Sequence, residues 1–161
     1  MKKIALLICM VVIAFTMSQA QVRKGQVAAG LNFEYGNLTE SAGWGAHIQY
    51  GIIDNLRAEL GFNHFFKHNN VKAFDVNLNA HYLVGLYKEK LYIYPLLGLN
   101  YTMATFEDDH EKTEKNHVGL NLGAGAEYEI TEHIGVKFEY RHTIIRKVDQ
   151  GIFTIGANYK F

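Results

Sequence analysis

The residues that could carry out chemistry are eight histidines, one cysteine and an acidic run in the second half of the chain. His142 is the histidine placed most suggestively for catalysis, but Ile144, not a serine, stands two residues after it. Apart from Ser18, the only serine is Ser41. A covalent mechanism needs a nucleophile within reach of its base. The sequence therefore predicts that the protein is not an enzyme and has no catalytic residue.

Metal and cofactor sites are not indicated either. His68, His110 and His117 lie in or near predicted loops, and no two histidines form a compact pair with ligand spacing. The acidic run from Glu107 to Glu111 does not match the spacing of a dedicated calcium loop. We expect solvated loop side chains at these positions, with no metal and no cofactor.

The first twenty residues predict a secretory signal peptide. Lys2 and Lys3 precede an apolar run from Ile4 to Phe15, and Ser18-Gln19-Ala20 supplies a small-residue cleavage site. We therefore divide the chain into a signal peptide, residues 1–20, and one domain, residues 21–161. Cys9 lies in the signal peptide, so the mature protein is expected to have no thiol, disulfide or zinc-thiolate site.

Charge excludes one class of partner. Without the two lysines of the signal peptide, 16 basic residues become 14 against 16 acidic ones, a formal charge of −2. This balance gives no electrostatic basis for binding nucleic acid. No later segment approaches the roughly 20 consecutive apolar residues that a transmembrane helix needs.

The last eleven residues indicate what the chain is built from. From Phe153 to Phe161 the odd positions are apolar, whereas Thr154, Gly156, Asn158 and Lys160 alternate with them. Period-two alternation of this length is typical of a β-strand whose two faces meet different solvents. Seven earlier segments alternate in the same way, starting near positions 27, 44, 56, 74, 91, 118 and 134. The segment from position 91 alternates least clearly. We predict loops or turns between them, among them Gly36–Gly43, Lys67–Asn70, Tyr87–Lys90, Ala104–Asn116 and Ile144–Gln150.

Three observations indicate that the apolar face meets lipid. It carries no charged residue in any predicted strand, and its only strongly polar members are His64 and His142. Its aromatic residues fall at strand ends, as expected for belts at two membrane interfaces. The other face combines charges with many glycines, which would make room for polar side chains crossing a narrow lumen. The sequence thus predicts an all-β fold, an eight-stranded antiparallel up-and-down transmembrane β-barrel.

The inward charges are expected to form a polar network in the lumen. Glu127 faces Lys137 across the hairpin that turns at Thr131, so we expect these two charges to pair. The predicted network consists of Glu34, Arg57, Glu59, Asp75, Glu127, Lys137, Glu139 and Arg141.

The end of the chain and the strand pattern resemble the small outer-membrane β-barrel family of Gram-negative bacteria, typified by the transmembrane domain of outer-membrane protein A and by outer-membrane protein X. In that family Thr154, Gly156, Tyr159 and Phe161 would form the signal read by the barrel-assembly machinery. The resemblance implies an outer-membrane location, periplasmic turns near Ile53, Tyr87 and Thr131, and four outward loops. Unlike outer-membrane protein X, this sequence predicts no protruding sheet.

The resemblance leaves three functions to weigh. The first is a structural or surface-interaction barrel with a filled lumen, in contact with outer-membrane lipid and lipopolysaccharide and with an unknown loop ligand. The second is a small gated pore or porin-like channel, although eight strands leave little more than space for side chains. The third is a lipid A-modifying enzyme, for which His142 lacks the serine partner that one such family uses. We expect the first.

Overall fold

The computed structural model of the chain is a closed ring of antiparallel strands. It describes residues 24–37, 40–68, 71–87, 90–107, 112–145 and 148–161. Leu83 interrupts the fourth strand, but both pieces pair with the fifth in one register, so we count eight strands. They are β1 (Val27–Gly36), β2 (Ser41–Ile53), β3 (Leu56–His68), β4 (Val71–Tyr82 and Val84–Tyr87), β5 (Leu91–Glu107), β6 (Lys112–Glu129), β7 (Ile134–Ile145) and β8 (Val148–Lys160).

Each strand pairs with the next along the chain, and β1 closes the ring by pairing with β8. This closing ladder runs from Ala28 opposite Lys160 to Gly36 opposite Ile152. The predicted eight-stranded antiparallel up-and-down barrel is confirmed. No helix among the described residues is long and apolar enough to cross a membrane.

The distribution of side chains is the reverse of that in a water-soluble barrel, with polar residues inside and apolar residues outside. Among the described residues, 24 polar or charged side chains are buried, against nine hydrophobic ones. The apolar residues point outward instead: Leu31 is 66% exposed, Leu60 39% and Leu122 55%. A soluble fold would have packed these leucines against one another. The apolar surface is therefore the one available to lipid, as the sequence predicts.

Tight turns lie at the end of the barrel that carries Val27 and Lys160, which we call the terminal rim. Ile53 pairs with Leu56 around a two-residue turn in which Asn55 has a φ of 75°. Asparagine tolerates this left-handed conformation better than most residues. At the turn near Thr131, the Thr131 hydroxyl accepts hydrogen bonds from two later backbone amides, at 3.3 and 3.0 Å. The β4–β5 turn contains residues 88 and 89, which lie outside the described part.

The predicted loops at the opposite rim, which we call the far rim, are too long. Most of the expected loop at Ala104–Asn116 is strand, because β5 continues to Glu107 and β6 starts at Lys112. Similarly, Ile145 already pairs with Val148 inside the loop expected at Ile144–Gln150. Beyond the membrane both faces of a strand meet water, so the apolar alternation that reveals a strand stops while its backbone ladder continues.

One part of the far rim stands higher than the rest. Residues 112–118 of β6 pair with β5, whereas the β6–β7 ladder starts only where Gly119 faces Ile145. Among the described residues, this upper part of β6 is thus a sheet edge. The expectation of no protruding sheet is wrong, for the reason just given: the β5–β6 hairpin is polar where it leaves the membrane.

Candidate functional site

Two ion pairs cross the lumen in the half of the barrel nearer the terminal rim. Lys137 Nζ on β7 lies 2.6 Å from Glu59 Oε2 on β3, and Gln49 Nε2 donates to the same oxygen at 2.7 Å. Arg57 Nη1, also on β3, lies 2.6 Å from Glu127 Oε2 on β6. All four charged side chains are almost completely buried. Such pairs are stable only because each charge keeps its partner, since an unpaired buried charge is costly.

A second group of charges surrounds Arg141. Its Nη2 lies 3.5 Å from Glu34 Oε2 on β1, and its Nη1 lies 3.9 Å from Glu139 Oε1 on its own strand. The Thr154 hydroxyl donates to Glu34 Oε1 at 3.3 Å. Asp75 is equally buried and interacts with the charge of Arg141, although it forms no direct ion pair within the described part of the chain. This group joins β1, β7 and β8 through the lumen.

Tyr94 crosses one neighbouring strand at a glycine. It faces Gly125 on β6 in the β5–β6 ladder, and Gly125 in turn faces Glu139 on β7. The Tyr94 hydroxyl donates to Glu139 Oε2 at 3.0 Å, and a Cβ at position 125 would overlap the tyrosine ring. Glycine is therefore required for the ring to lie against the wall and reach the strand beyond.

The same arrangement recurs at one other place, and a further contact also joins two strands that are not neighbours. His47 on β2 lies over Gly30 on β1 and contacts Asn158 Oδ1 on β8 at 2.5 Å. Lys160 on β8 forms an ion pair with Glu129 on β6, two strands away. We call the contacts of Tyr94 and His47 the glycine crossings; the ion pair of Lys160 with Glu129 is a third contact between strands that are not neighbours. All three contacts connect strands that share no ladder.

Neutral side chains form a chain across one side of the lumen. Asn121 donates to Asn77 at 2.9 Å and to Asn79 at 2.8 Å, while Asn100 also donates to Asn77, at 2.9 Å. Thr143 donates to Asn121 at 2.8 Å. The chain therefore runs from β4 through β5 and β6 to β7. Amides suit this place because each offers both donors and acceptors.

All eight residues of the predicted network point into the lumen and are at most 3% exposed. The structure pairs six of them across strands and brings Glu139 within 3.9 Å of Arg141, whereas Asp75 has no direct ion pair with another described residue. Glu127 and Lys137 do face each other in the ladder. Their charged groups nevertheless pair elsewhere, with Arg57 and Glu59, because long side chains can cross a narrow lumen instead of meeting a direct neighbour.

Sequence reasoning missed the aromatic and histidine part of the lumen. The His81 ring stacks on Tyr94 with centroids 4.7 Å apart, and Arg57 Cζ lies 5.1 Å from the Tyr94 ring centre. Leu83, Tyr92, Tyr94 and Leu96 form a buried apolar cluster beside them. The available signal was the inward face of the segment from position 91, whose weak polarity reflected this cluster.

His81 also belongs to a group that could hold a metal ion. One ligand atom from each of Glu59, His81 and Glu139 can be chosen so that all three lie within 4.8 Å of one another, and all three residues are buried. They stand on β3, β4 and β7, so no spacing along the chain could have revealed them.

The four residues of the predicted assembly signal divide between the two faces of β8. Thr154 and Gly156 point inward, while Tyr159 and Phe161 point outward and are 48% and 75% exposed. The two aromatic rings contact each other at 5.1 Å, and His133 stacks on Tyr159 at 5.8 Å. The four signal residues lie along the end of one strand rather than around a pocket. Their recognition by the barrel-assembly machinery stays a prediction.

The histidines of the outer face have no catalytic partner among the described residues. His142 Nε2 lies 4.0 Å from Asp149 Oδ2, and both side chains are substantially exposed. Ser41 is buried and points to the lumen side, so the wall of the barrel separates it from His142. His64 lies 6.5 Å from the Trp44 ring, centre to centre.

Solved structures share this fold. The N-terminal β-barrel domain of Pseudomonas aeruginosa OprF has a TM-score of 0.76 and 20% identity, covering 86% of this chain and 98% of that one. Neisserial surface protein A gives 0.69 and 16%, with 84% and 96% covered. Ail, the attachment invasion locus protein of Yersinia pestis, gives 0.62 and 17%, with 86% and 99% covered. At these identities the likeness shows the fold alone.

The sequence model of a protein family, the outer membrane protein beta-barrel domain, matches residues 6–161. This chain belongs to that family. Among curated proteins, outer membrane protein X of Escherichia coli K12 is 27% identical over 173 aligned positions that cover both chains completely. As a member of the outer-membrane β-barrel family, the chain is located in the outer membrane of a Gram-negative bacterium, with its apolar outer face against lipid.

Proposed function

We propose that this barrel is a structural and surface-interaction protein of the outer membrane, with a lumen closed by its own side chains. The observation that carries the proposal is the pair of ion contacts, Lys137–Glu59 and Arg57–Glu127, which cross the lumen at 2.6 Å each. An eight-stranded barrel has an interior that side chains can fill, whereas aqueous channels need more strands. The contribution of the lumen is then stability, not transport.

The interaction surface that we propose is the far rim, with its four outward loops. Its highest part is the β5–β6 hairpin, where residues 112–118 form a sheet edge among the described residues. An exposed edge presents unpaired backbone N–H and C=O groups and can accept an extended segment of another protein. The name of the structurally similar Ail refers to attachment, which agrees with this use of the fold.

Two further partners belong to the proposal. The apolar belt would contact outer-membrane lipid and lipopolysaccharide, and Thr154, Gly156, Tyr159 and Phe161 would be read by the barrel-assembly machinery. We propose no enzymatic activity, because His142 has Asp149 as its ion-pair partner and no serine or cysteine nucleophile beside it in the part of the chain that the structure describes. Release of fatty acid from lipid A, lost in His142→Ala, would contradict that part.

Planar-bilayer recording tests the closed lumen. Purified protein, shown to be folded by its faster migration before boiling, should give no conductance steps of nanosiemens size, whereas a trimeric porin tested in parallel should. Regular steps of that size from the folded protein would replace our proposal with a diffusion pore.

A shortened hairpin tests the surface role. Thr102 faces His117 in the β5–β6 ladder, so residues 103–116 can be replaced by an Asn-Gly turn that keeps the register below. In a strain lacking the protein, we expect wild type and shortened barrel to restore detergent resistance equally. Only wild type should restore adhesion to immobilised matrix proteins. Equal adhesion by both would place the interaction elsewhere.

A further inference from the structure

We propose that the lumen holds one divalent metal ion of the zinc class between Glu59, His81 and Glu139. One ligand atom from each residue lies within 4.8 Å of the other two, and side-chain rotations would have to bring the three atoms to coordination distance. An imidazole with two carboxylates is a donor set that suits zinc and similar transition metals. All three residues are fully or almost fully buried.

The donor atoms needed for a metal are the ones not used elsewhere. Lys137 and Gln49 both bond Glu59 through Oε2, which leaves Oε1 on the side of His81. The Tyr94 hydroxyl donates to Oε2 of Glu139. Oε1 of Glu139 lies 3.9 Å from Arg141 Nη1, which is too far for a hydrogen bond. His81 Nε2 is buried without a hydrogen-bond partner, 3.9 Å from Glu59 Oε1. A buried polar atom left unpaired is costly, so a ligand at this point is favoured.

The charge balance of the lumen also favours a cation. Among the described inward residues there are six carboxylates (Glu34, Glu59, Asp75, Glu127, Glu129 and Glu139) and four permanent cations (Arg57, Lys137, Arg141 and Lys160). By residue count, carboxylates therefore outnumber permanent cations by two. Glu59 and Glu139 bring two carboxylates to one point, where a divalent ion would add to the compensation that Lys137 and Arg141 give them.

Arg57 adjusts to the metal without losing its main partner. Its Nε now donates to His81 Nδ1 at 3.2 Å, which requires the proton of a neutral ring to be on Nε2. A metal on Nε2 moves that proton to Nδ1, so Arg57 must turn away from the ring. Glu127 can then accept hydrogen bonds from the Arg57 guanidinium, because both Glu127 oxygens and Arg57 Nη2 lack well-oriented hydrogen bonds. The rearrangement would satisfy these atoms as well.

The test is refolding of tag-free protein from urea in the presence of Zn²⁺, followed by EDTA treatment and gel filtration of the folded barrel. We expect one zinc per barrel, retained through EDTA because the site is buried. His81→Gln should lose this zinc, and Glu139→Gln provides a second variant should His81→Gln not fold. His47→Gln is the matched control, since His47 is also a lumen histidine but bonds Asn158, and it should keep the metal.

Cobalt gives an independent readout. Refolding with Co²⁺ in place of Zn²⁺ should produce the intense visible absorption of a low-coordinate nitrogen and oxygen site, lost in His81→Gln and kept in His47→Gln. Wild-type barrels that emerge metal-free after EDTA, or that keep equal metal in wild type and both His81→Gln and Glu139→Gln, would overturn the proposal. Neither result would affect the closed lumen or the surface role.

Discussion

Lys137 and Glu59 join opposite sides of the barrel through a 2.6 Å contact between Nζ and Oε2. In ring order three strands separate β7 from β3 in either direction, so this pair spans the full width of the lumen. Each partner compensates the other where water is excluded. The stability of the barrel should therefore depend on the pair as a unit.

Breaking this pair from one side should destabilise the barrel more than removing it. We expect Lys137→Met to cost about 3–5 kcal/mol, because it leaves Glu59 buried and unpaired. The double variant Lys137→Met with Glu59→Gln should recover part of that loss. Urea titration in lipid vesicles, followed by the fraction of fast-migrating unboiled protein, measures both. If the double variant lost as much unfolding free energy as the two single variants added together, or more, the coupling would be contradicted.

The glycine crossing at Tyr94 predicts a steric effect of a single methyl group. A Cβ at Gly125 would overlap the Tyr94 ring, so Gly125→Ala should cost about 1–3 kcal/mol through overpacking. Gly61 is the matched control, because a Cβ there would have its nearest neighbour at 3.8 Å. Gly61→Ala should be neutral or stabilise by about 0.5–1 kcal/mol, the usual gain of alanine over glycine in a strand. Equal effects of the two substitutions would argue against the crossing.

The lipid-facing surface predicts a cost that depends on depth. Leu122 lies in the middle of the spanning part of β6 and is 55% exposed to the outside. Leu122→Arg should cost about 2–4 kcal/mol, as expected at the bilayer midplane. Val118→Arg, on the same face of the same strand but nearer the far rim, should cost only about 0–1 kcal/mol. The same urea titration compares them, and a reversed order would place the membrane at a different height on the barrel.

The end of the chain predicts a defect in assembly without a defect in stability. Phe161 is 75% exposed and its ring contacts that of Tyr159, so Phe161→Ala removes little packing. In cells we expect less folded barrel in the outer membrane, because the machinery would recognise the aromatic end poorly. Refolding of the purified variant into detergent should match wild type. Leu97→Ala, another exposed outward position, is the control and should assemble normally.

Cleavage of the signal peptide is tested separately. Mass spectrometry of the membrane-extracted protein should show Gln21 as its first residue.

The sequence was sufficient for the fold because the membrane imposes a simple rule on each strand. Leu31, Leu60 and Leu122 must face hydrocarbon, and the residues between them must then face the lumen. Strand length was not predictable from this rule, since it stops applying where β5 and β6 leave the membrane. That is why the loop expected from Ala104 to Asn116 proved to be mostly strand.

Which lumen side chains pair with each other was less predictable than where each side chain points. The register correctly set Glu127 opposite Lys137, yet Lys137 pairs with Glu59, 78 positions earlier in the chain. Alternation gives the direction of a side chain but not its reach, and in a narrow barrel a lysine reaches the opposite wall. His81 and Tyr94 escaped notice for a related reason: they are diagonal neighbours in the β4–β5 ladder, where His81 faces Leu96, and alternation alone does not show that the two rings stack.

The contact of His47 with Asn158 has a consequence for how the barrel forms. It joins β2 to β8 above Gly30, and β1 pairs with β8 only where the two ends of the sheet meet. An open sheet, however complete its other ladders, holds these two side chains far apart. This bond and the closure of the wall must therefore form together: an open sheet can already hold the amide chain from β4 to β7, but it gains the bond between His47 and Asn158 only when β8 pairs with β1.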